Sequence, residues 1–202
     1  MTTSARMTAG ERRQALLEAA IGVFAAGSYR GCTTAEIARA AGVSEPILYR
    51  HFSSKRDLYQ AVLDHVWERV RAAWEEAIAA EPDPARWLGA ISQAHMTLSR
   101  KLVLAELWVQ ALSEAGEDDE LKTHLRRHMR EVHAFVADVI RRAQDAGGVV
   151  ADRNADAEAW IFIAGGVLGT LGRRVGLLGE ADFAQIKASR IEWMTGAPPD
   201  AA

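Results

Sequence analysis

The chain has 202 residues, 49% hydrophobic and 25% charged, enough for one or two small cores and ordinary for a soluble protein. Its one cysteine, Cys32, excludes an internal disulfide and fits a reducing cytoplasm, and its longest uncharged run, 159–172, is too short to span a bilayer. The net charge of −3 hides an asymmetry: residues 1–56 hold eight Lys/Arg against four Asp/Glu, a balance of +4, so the remainder sums to −7, which suits a nucleic-acid contact in the N-terminal quarter and a body that stays off DNA.

Capping and turn signals divide the chain into about nine helices with no sustained strand alternation, an all-α fold. Thr8 and Glu11 make a capping box that opens a first helix through about Ala26. Leu16, Leu17, Ala20, Ile21 and Phe24 recur along it at helical spacing, and Gly27 stops it. Gly31 marks a turn. Thr33 and Glu36 make a second capping box, Ile37, Ala38 and Ala41 a small apolar face, and Gly42 a second stop. Ser44 is the N-cap of a third helix, with Pro46 in its first turn, where no N–H is needed. Leu48 and Phe52, four apart, are its core anchors, which leaves Glu45, Tyr49, Arg50 and His51 facing outward. Ser53 and Ser54 are candidate caps for a fourth helix, Ser54 standing in capping-box spacing with Asp57.

That fourth helix is expected over about 55–80, with Leu58, Val62, Val66, Val70 and Trp74 as its apolar stripe. Glu81-Pro82-Asp83-Pro84 breaks it. Further helices are expected over about 85–99, 101–115, 119–146, 155–178 and 181–195, with Gly116–Asp119 and Gly147-Gly148 between them.

Residues 33–59 carry a Thr-rich helix start, an Ile-Ala…Gly-Val turn, Leu48-Tyr49-Arg50-His51-Phe52, and a Lys55…Leu58 opening to the fourth helix. In these features the chain resembles the DNA-binding domain of the tetracycline-repressor (TetR) family of bacterial transcription regulators. From Arg56 onward the likeness is one of length and helical pattern, which supports fold and not ligand. The resemblance implies a helix-turn-helix head over 8–54 and a ligand-binding and dimerisation body over 55–196, connected by the fourth helix. It implies a homodimer on a palindromic double-stranded operator, most readily a repressor released by a ligand, with no enzymatic activity, no cofactor and no membrane partner. An activating or ligand-independent DNA-binding regulator is the alternative. A helical small-molecule binder with a vestigial head is a further one.

By resemblance the third helix enters the major groove, and Thr33, Thr34, Ser44, Glu45, Pro46, Ile47, Tyr49, Arg50, His51 and Lys55 become the DNA-contact candidates. Arg50 could fork onto a guanine edge or hold a phosphate; the first specifies and the second only positions. Ile47 suits a thymine methyl, and Glu45 suits the amino group of cytosine. Tyr49 and His51 suit phosphates and sugars, though Tyr49 could also pack the head core. Thr33, Thr34 and Lys55, at helix N-termini, suit phosphates.

The body holds all six tryptophans of the chain. Trp67, Trp74, Trp87, Trp108 and Trp160, with Ile91, Val132, His95, Gln110 and His128, are candidates for a mostly apolar pocket taking a small hydrophobic or aromatic effector. Ordinary core packing is the competing reading for each tryptophan. His124 and His128 have metal-binding spacing, with Glu131 on the same face, but no further ligand completes a site, and a solvated basic face with Arg126, Arg127 and Arg130 is the preferred reading. Ile163, Gly166, Val167 and Thr170 form a small-residue stripe within the uncharged run, and Ile186, Arg190 and Met194 lie on the last helix. The resemblance makes these two stripes a four-helix dimer interface; intramolecular core is the alternative.

Overall fold

The structure is a computed structural model that describes the backbone of residues 7–102 and 104–197, and their side chains except at 100–106, 170, 171, 173 and 174. Among the described residues there are nine α-helices and no strand: α1 (Ala9–Ala26), α2 (Thr34–Ala40), α3 (Glu45–Tyr49), α4 (Lys55–Ala80), α5 (Trp87–Leu102), α6 (Leu104–Glu114), α7 (Asp119–Asp145), α8 (Ala155–Val175) and α9 (Glu180–Thr195). The all-α expectation holds.

Besides the end of α5 at Leu102 and the start of α6 at Leu104, each three residues later than expected, two boundaries differ for local reasons. Residues Pro84–Arg86 form a 3-10 turn, held by Ala85 N–H donating to Asp83 Oδ1 at 3.0 Å, so α5 starts at Trp87. The helix expected to run to 178 stops at Val175, because Gly176 takes φ +66° and Leu177 N–H turns back to the Gly172 carbonyl at 2.8 Å. That is the left-handed stop that glycine makes easy.

The described residues fall into two compact units, Met1–Arg69 with Ser99–Leu125, and Val70–Leu98 with Arg126–Ala202. In the first, α1 packs on α2 and α6, and α2 packs on α3. Its core is Leu16, Leu17, Ala20, Ile21 and Phe24 of α1, Ile37 and Ala38 of α2, Leu48, Phe52, and Leu58, Tyr59, Val62, Leu63 and Val66 of α4. The apolar stripes read from helical spacing are thus the buried ones, and each fully buried large apolar side chain contributes roughly 1.5–3 kcal/mol. Phe24 meets Tyr59 edge-on at 4.8 Å between ring centroids. The Tyr59 hydroxyl, sealed in this core, donates to the Leu107 carbonyl at 3.0 Å, and burial pushes its phenol well above the ordinary range. Gln110 of α6 donates from Nε2 to the Gly27 carbonyl at 2.6 Å, satisfying the stop of α1.

The second unit is built on the apolar face of α7, with Val132, Val136, Ala137, Val139, Ile140 and Ala143 buried alongside Val70, Trp74, Ile91, Val149, Ala155, Ala159 and Met194. Gly148 lets two backbones touch: a Cβ there would stand 2.4 Å from Ala85 N. Glu158 of α8 is buried and accepts from Trp193 Nε1 at 2.7 Å and from Arg190, which ties α9 to α8.

Candidate nucleic-acid interface

The segment from Thr33 to Lys55 is positioned by caps and one tight turn. Thr33 N–H donates to Glu36 Oε2 at 2.7 Å and Glu36 N–H donates to Thr33 Oγ1 at 3.2 Å. The bonds that the Thr33 backbone N–H and hydroxyl donate to the Glu36 carboxyl, the backbone one foremost, hold it below the usual carboxylate range. Gly42 takes φ +68°, and Val43 N–H closes the end of α2 on the Ala38 carbonyl at 2.9 Å. Ser44 begins α3 without a side-chain cap bond. At five residues, α3 is far below the roughly 12–15 needed for a helix to stand alone. Tertiary contacts must hold it, and Leu48 and Phe52 do so from the core, with the Arg13 guanidinium 4.9 Å over the Phe52 ring. At the start of α4, Asp57 N–H donates to Ser54 Oγ at 3.0 Å, while the Asp57 carboxylate reaches Ser53 N–H at 2.7 Å, one residue before the cap.

Several expected phosphate ligands are engaged inside the head. The Thr33 hydroxyl is the cap of α2. Thr34 is buried, and its hydroxyl donates to Glu45 Oε1 at 2.5 Å and lies 3.0 Å from the Tyr49 hydroxyl. Lys55 Nζ donates to the Cys32 carbonyl at 2.6 Å and sits 4.8 Å over the Tyr29 ring. Burial pushes the Cys32 thiol up, against the opposing pull of Lys55. The Tyr49 ring itself is 48% exposed, so it does not serve as core packing. Ser44 and Pro46 are exposed, and Ile47 is partly so.

Arg50 and His51 are differently placed. With Ile47, and with Ala9 and Arg12 at the start of α1, they line an open depression of about 340 Å³. Among the described residues none of Arg12, Arg50 and His51 pairs with a carboxylate. Arg30, Arg56 and Arg69 of the same unit all do. Three unneutralised cationic or ionisable groups around one depression suit phosphate oxygens and base edges. Arg12 was not among the sequence candidates. The signal for it is its place directly after the Thr8–Glu11 capping box, on the helix that α2 packs against.

The effector candidates are distributed between the units. Trp67 is buried in the first, where Trp108 and Gln110 also lie. In the second, Trp74 meets His95 edge-on at 5.8 Å and Phe135 at 5.7 Å. Ile91, His128 and Val132 are buried there. Trp87 donates to the Glu81 carbonyl at 3.0 Å and carries the Arg142 guanidinium 5.7 Å above its ring. Trp160 is 46% exposed and stacks on His133 at 4.3 Å. The solvated basic face expected for α7 needs correction at its histidines: His124 and His128 are buried, while Arg126, Arg127, Arg130 and Glu131 are exposed. His124 Nε2 lies 3.0 Å from Asp64 Oδ1, and Glu131 pairs with Arg127. No cluster of three metal-ligating side chains occurs among the described residues.

Of the interface candidates, Gly166, Val167 and Ile186 are exposed and Ile163 partly so; the side chain of Thr170 lies outside the described residues. A Cβ built at Gly165 or Gly166 meets nothing within 4 Å. Beside them Trp160, Ile161, Leu168, Val175, Leu177 and Trp193 leave large apolar surface exposed. Met194 is buried and Arg190 is held by Glu158. No helix among the described residues is long and apolar enough to cross a membrane.

Residues 16–62 match the model of the bacterial regulatory proteins of the tetR family, and residues 84–165 match that of BetI-type transcriptional repressor C-terminal domains. The HTH-type transcriptional activator FasR of Mycolicibacterium smegmatis is 40% identical over 89 residues, which are 44% of this chain and 41% of that protein, so the chain spans less than half of that relative. The crystal structure of a TetR-family transcriptional regulator from Rhodococcus sp. superposes with a TM-score of 0.76 at 24% identity, covering 86% of this chain and 92% of that one. That of AibR in complex with isovaleryl coenzyme A and operator DNA gives 0.63 at 17% identity, covering 92% and 98%. These two likenesses are of fold. With the head matched over the helices that carry Thr33 to Lys55, and the body matched separately, the chain belongs to the TetR family of DNA-binding transcriptional regulators.

Proposed function

We propose that this chain is a homodimeric repressor that leaves a palindromic operator when a small hydrophobic or aromatic molecule binds its body. Residues 8–54 form the DNA-binding domain and 55–196 the ligand-binding and dimerisation domain. The observation that carries the reading is the depression at the end of α3 that Arg50 and His51, with Arg12 of α1, line without carboxylate partners among the described residues. Placed in a major groove, Arg50 reads a base edge or holds a phosphate, Ile47 meets a methyl, and His51, Tyr49 and Arg12 meet the backbone.

Dimerisation is supported by the exposed apolar side chains of α8 and α9. A two-fold axis there presents two copies of α3 about 34–36 Å apart, one turn of DNA. Continuous α4 contributes residues to both compact units and is the element through which effector binding is felt at the head. The required difference in effector affinity between DNA-bound and released conformations is typically about 1–3 kcal/mol. The effector class is supported by the Trp74, His95 and Phe135 cluster.

Selection of bound duplexes from a random pool tests the proposal: a two-fold symmetric site whose binding falls steeply with salt is expected, and no enriched sequence would refute it. Activation is the second reading, favoured by the likeness to the activator FasR. A reporter placed behind the selected site distinguishes the two by the sign of its response.

A further inference from the structure

We infer that Thr34 is the positioning residue of the recognition helix, deciding which side chains of α3 reach the groove. The inference rests on the reading that α3 binds DNA. Thr34 opens α2, is 7% exposed, and meets both ends of α3: Glu45, its first residue, at 2.5 Å and Tyr49, its last, at 3.0 Å. A hydroxyl has one proton to give. The Glu45 carboxylate only accepts, so Thr34 donates to it, and the Tyr49 hydroxyl donates to Thr34 Oγ1. Protons therefore run in one direction, from Tyr49 through Thr34 to Glu45.

This chain of bonds has a consequence for recognition. Helix α3 is too short to fix its own rotation, its N-cap residue makes no side-chain bond, and Leu48 is its one buried side chain. Leu48 anchors the helix but cannot by itself set the turn about its axis; the two bonds to Thr34 can. They also draw the Glu45 carboxylate toward α2, so it does not stand in the groove as an acceptor for cytosine or as a repulsive charge against phosphates. Ile47 and Arg50 are left as the readers, with His51 on the backbone. Thr34, without touching DNA, withholds one specificity and imposes another.

The test is Thr34→Val, which keeps the branched shape and removes the hydroxyl, with Thr34→Ser as the conservative rescue and Thr34→Ala as a second variant should valine disturb folding. Duplexes are selected from a random pool with each full-length protein, and melting temperature is followed in parallel. Thr34→Val should lose about tenfold on the wild-type site, the worth of one charged hydrogen bond, and should gain tolerance for cytosine at one position of each half-site. Thr34→Ser should restore the wild-type preference. Adding Glu45→Ala to Thr34→Val should abolish the cytosine tolerance, because the released carboxylate is its source. An unchanged site preference in Thr34→Val and Thr34→Ala, or an equal loss on every sequence, would overturn the inference. Failure of wild-type protein to enrich any sequence would instead overturn the DNA-binding geometry on which it rests.

Discussion

Arg56 Nη1 lies 3.2 Å from Asp118 Oδ2, so the first turn of α4 is paired with the first turn of α7. The same carboxylate accepts from Glu120 and Leu121 N–H at 3.0 Å each, which makes Asp118 the N-cap of α7 as well as an ion-pair partner. Arg56 also meets Glu120 at 3.1 Å, and Arg30 meets Glu114 at 2.8 Å and Glu117. The acidic corner between α6 and α7 thus neutralises two arginines flanking the DNA-binding segment. Lys55 is held in turn by the Cys32 carbonyl. Arg12, Arg50 and His51 line their depression without a carboxylate partner among the described residues.

The two roles of Asp118 predict different costs for two substitutions. Asp118→Asn keeps an N-cap oxygen and loses an exposed ion pair, worth about 0.2–1 kcal/mol. Asp118→Ala loses the cap as well, a further loss of about 0.5–2 kcal/mol. Urea unfolding at about 0.1 M and about 1 M salt separates them, because salt screens only the ion pair. Both deficits should shrink by the same amount in high salt, that of Asp118→Asn nearly to nothing and that of Asp118→Ala to the cap's share; equal deficits of the two variants in high salt would contradict the capping role.

Acid sensitivity should centre on Glu158. Burial pushes its carboxyl up, but the hydrogen bond from Trp193 and the pairing with Arg190 outweigh that and hold it below the ordinary value of 4.5. A carboxyl whose folded pKa is depressed contributes stability that is fully present above its unfolded pKa and is lost as pH falls through the folded one. The wild-type protein should therefore lose stability below about pH 4.5. Glu158→Gln, which retains an acceptor for Trp193 and does not titrate, should show a shallower fall, read as midpoint against pH in urea unfolding. Glu158→Ala should be worse at every pH, by roughly 0.5–1.5 kcal/mol per hydrogen bond lost, because it removes the acceptor that Trp193 and Arg190 share.

Local signals carried most of the fold. Thr8, Thr33 and Ser54 start helices, Gly42 stops one, and Leu58, Val62, Val66, Val70 and Trp74 are buried as their spacing implies. These features depend on neighbours within a turn or two, which a sequence displays directly. What spacing could not display was pairing at long range. Glu45 and Thr34 are eleven residues apart, and Lys55 finds a carbonyl 23 residues back. Such contacts depend on how helices cross, so side chains that chemistry alone would offer to DNA turn out to be bonded within the head. The burial of His124 and His128 beside exposed arginines has the same origin: helical spacing gives a face, and only packing decides which neighbour covers it.

Dimerisation through α8 and α9 is tested at positions where the protomer has nothing to lose. Val167 is 46% and Leu168 47% exposed, so a charge there disturbs little within one chain. Val167→Glu and Leu168→Glu should keep wild-type helicity, sediment as monomers at micromolar concentration, and bind a symmetric site with the weak affinity of one head. Wild-type sedimentation of both variants would move the interface elsewhere.

Arg12 and Arg50 share a depression but should differ in what they contribute. A phosphate contact weakens binding uniformly across sequences when removed and lowers the slope of log affinity against log salt by about 1, whereas a lost base contact costs about 1–3 kcal/mol at one position and relaxes preference there. Arg12→Ala should follow the first pattern and Arg50→Ala the second. Neither guanidinium pairs with a carboxylate among the described residues, and the depression is open, so both variants should fold as the wild type does. Competition among single-base variants of the selected site, repeated at several salt concentrations, measures both quantities in one series. Uniform weakening by Arg50→Ala would reassign Arg50 to the backbone and leave Ile47 as the reader on α3.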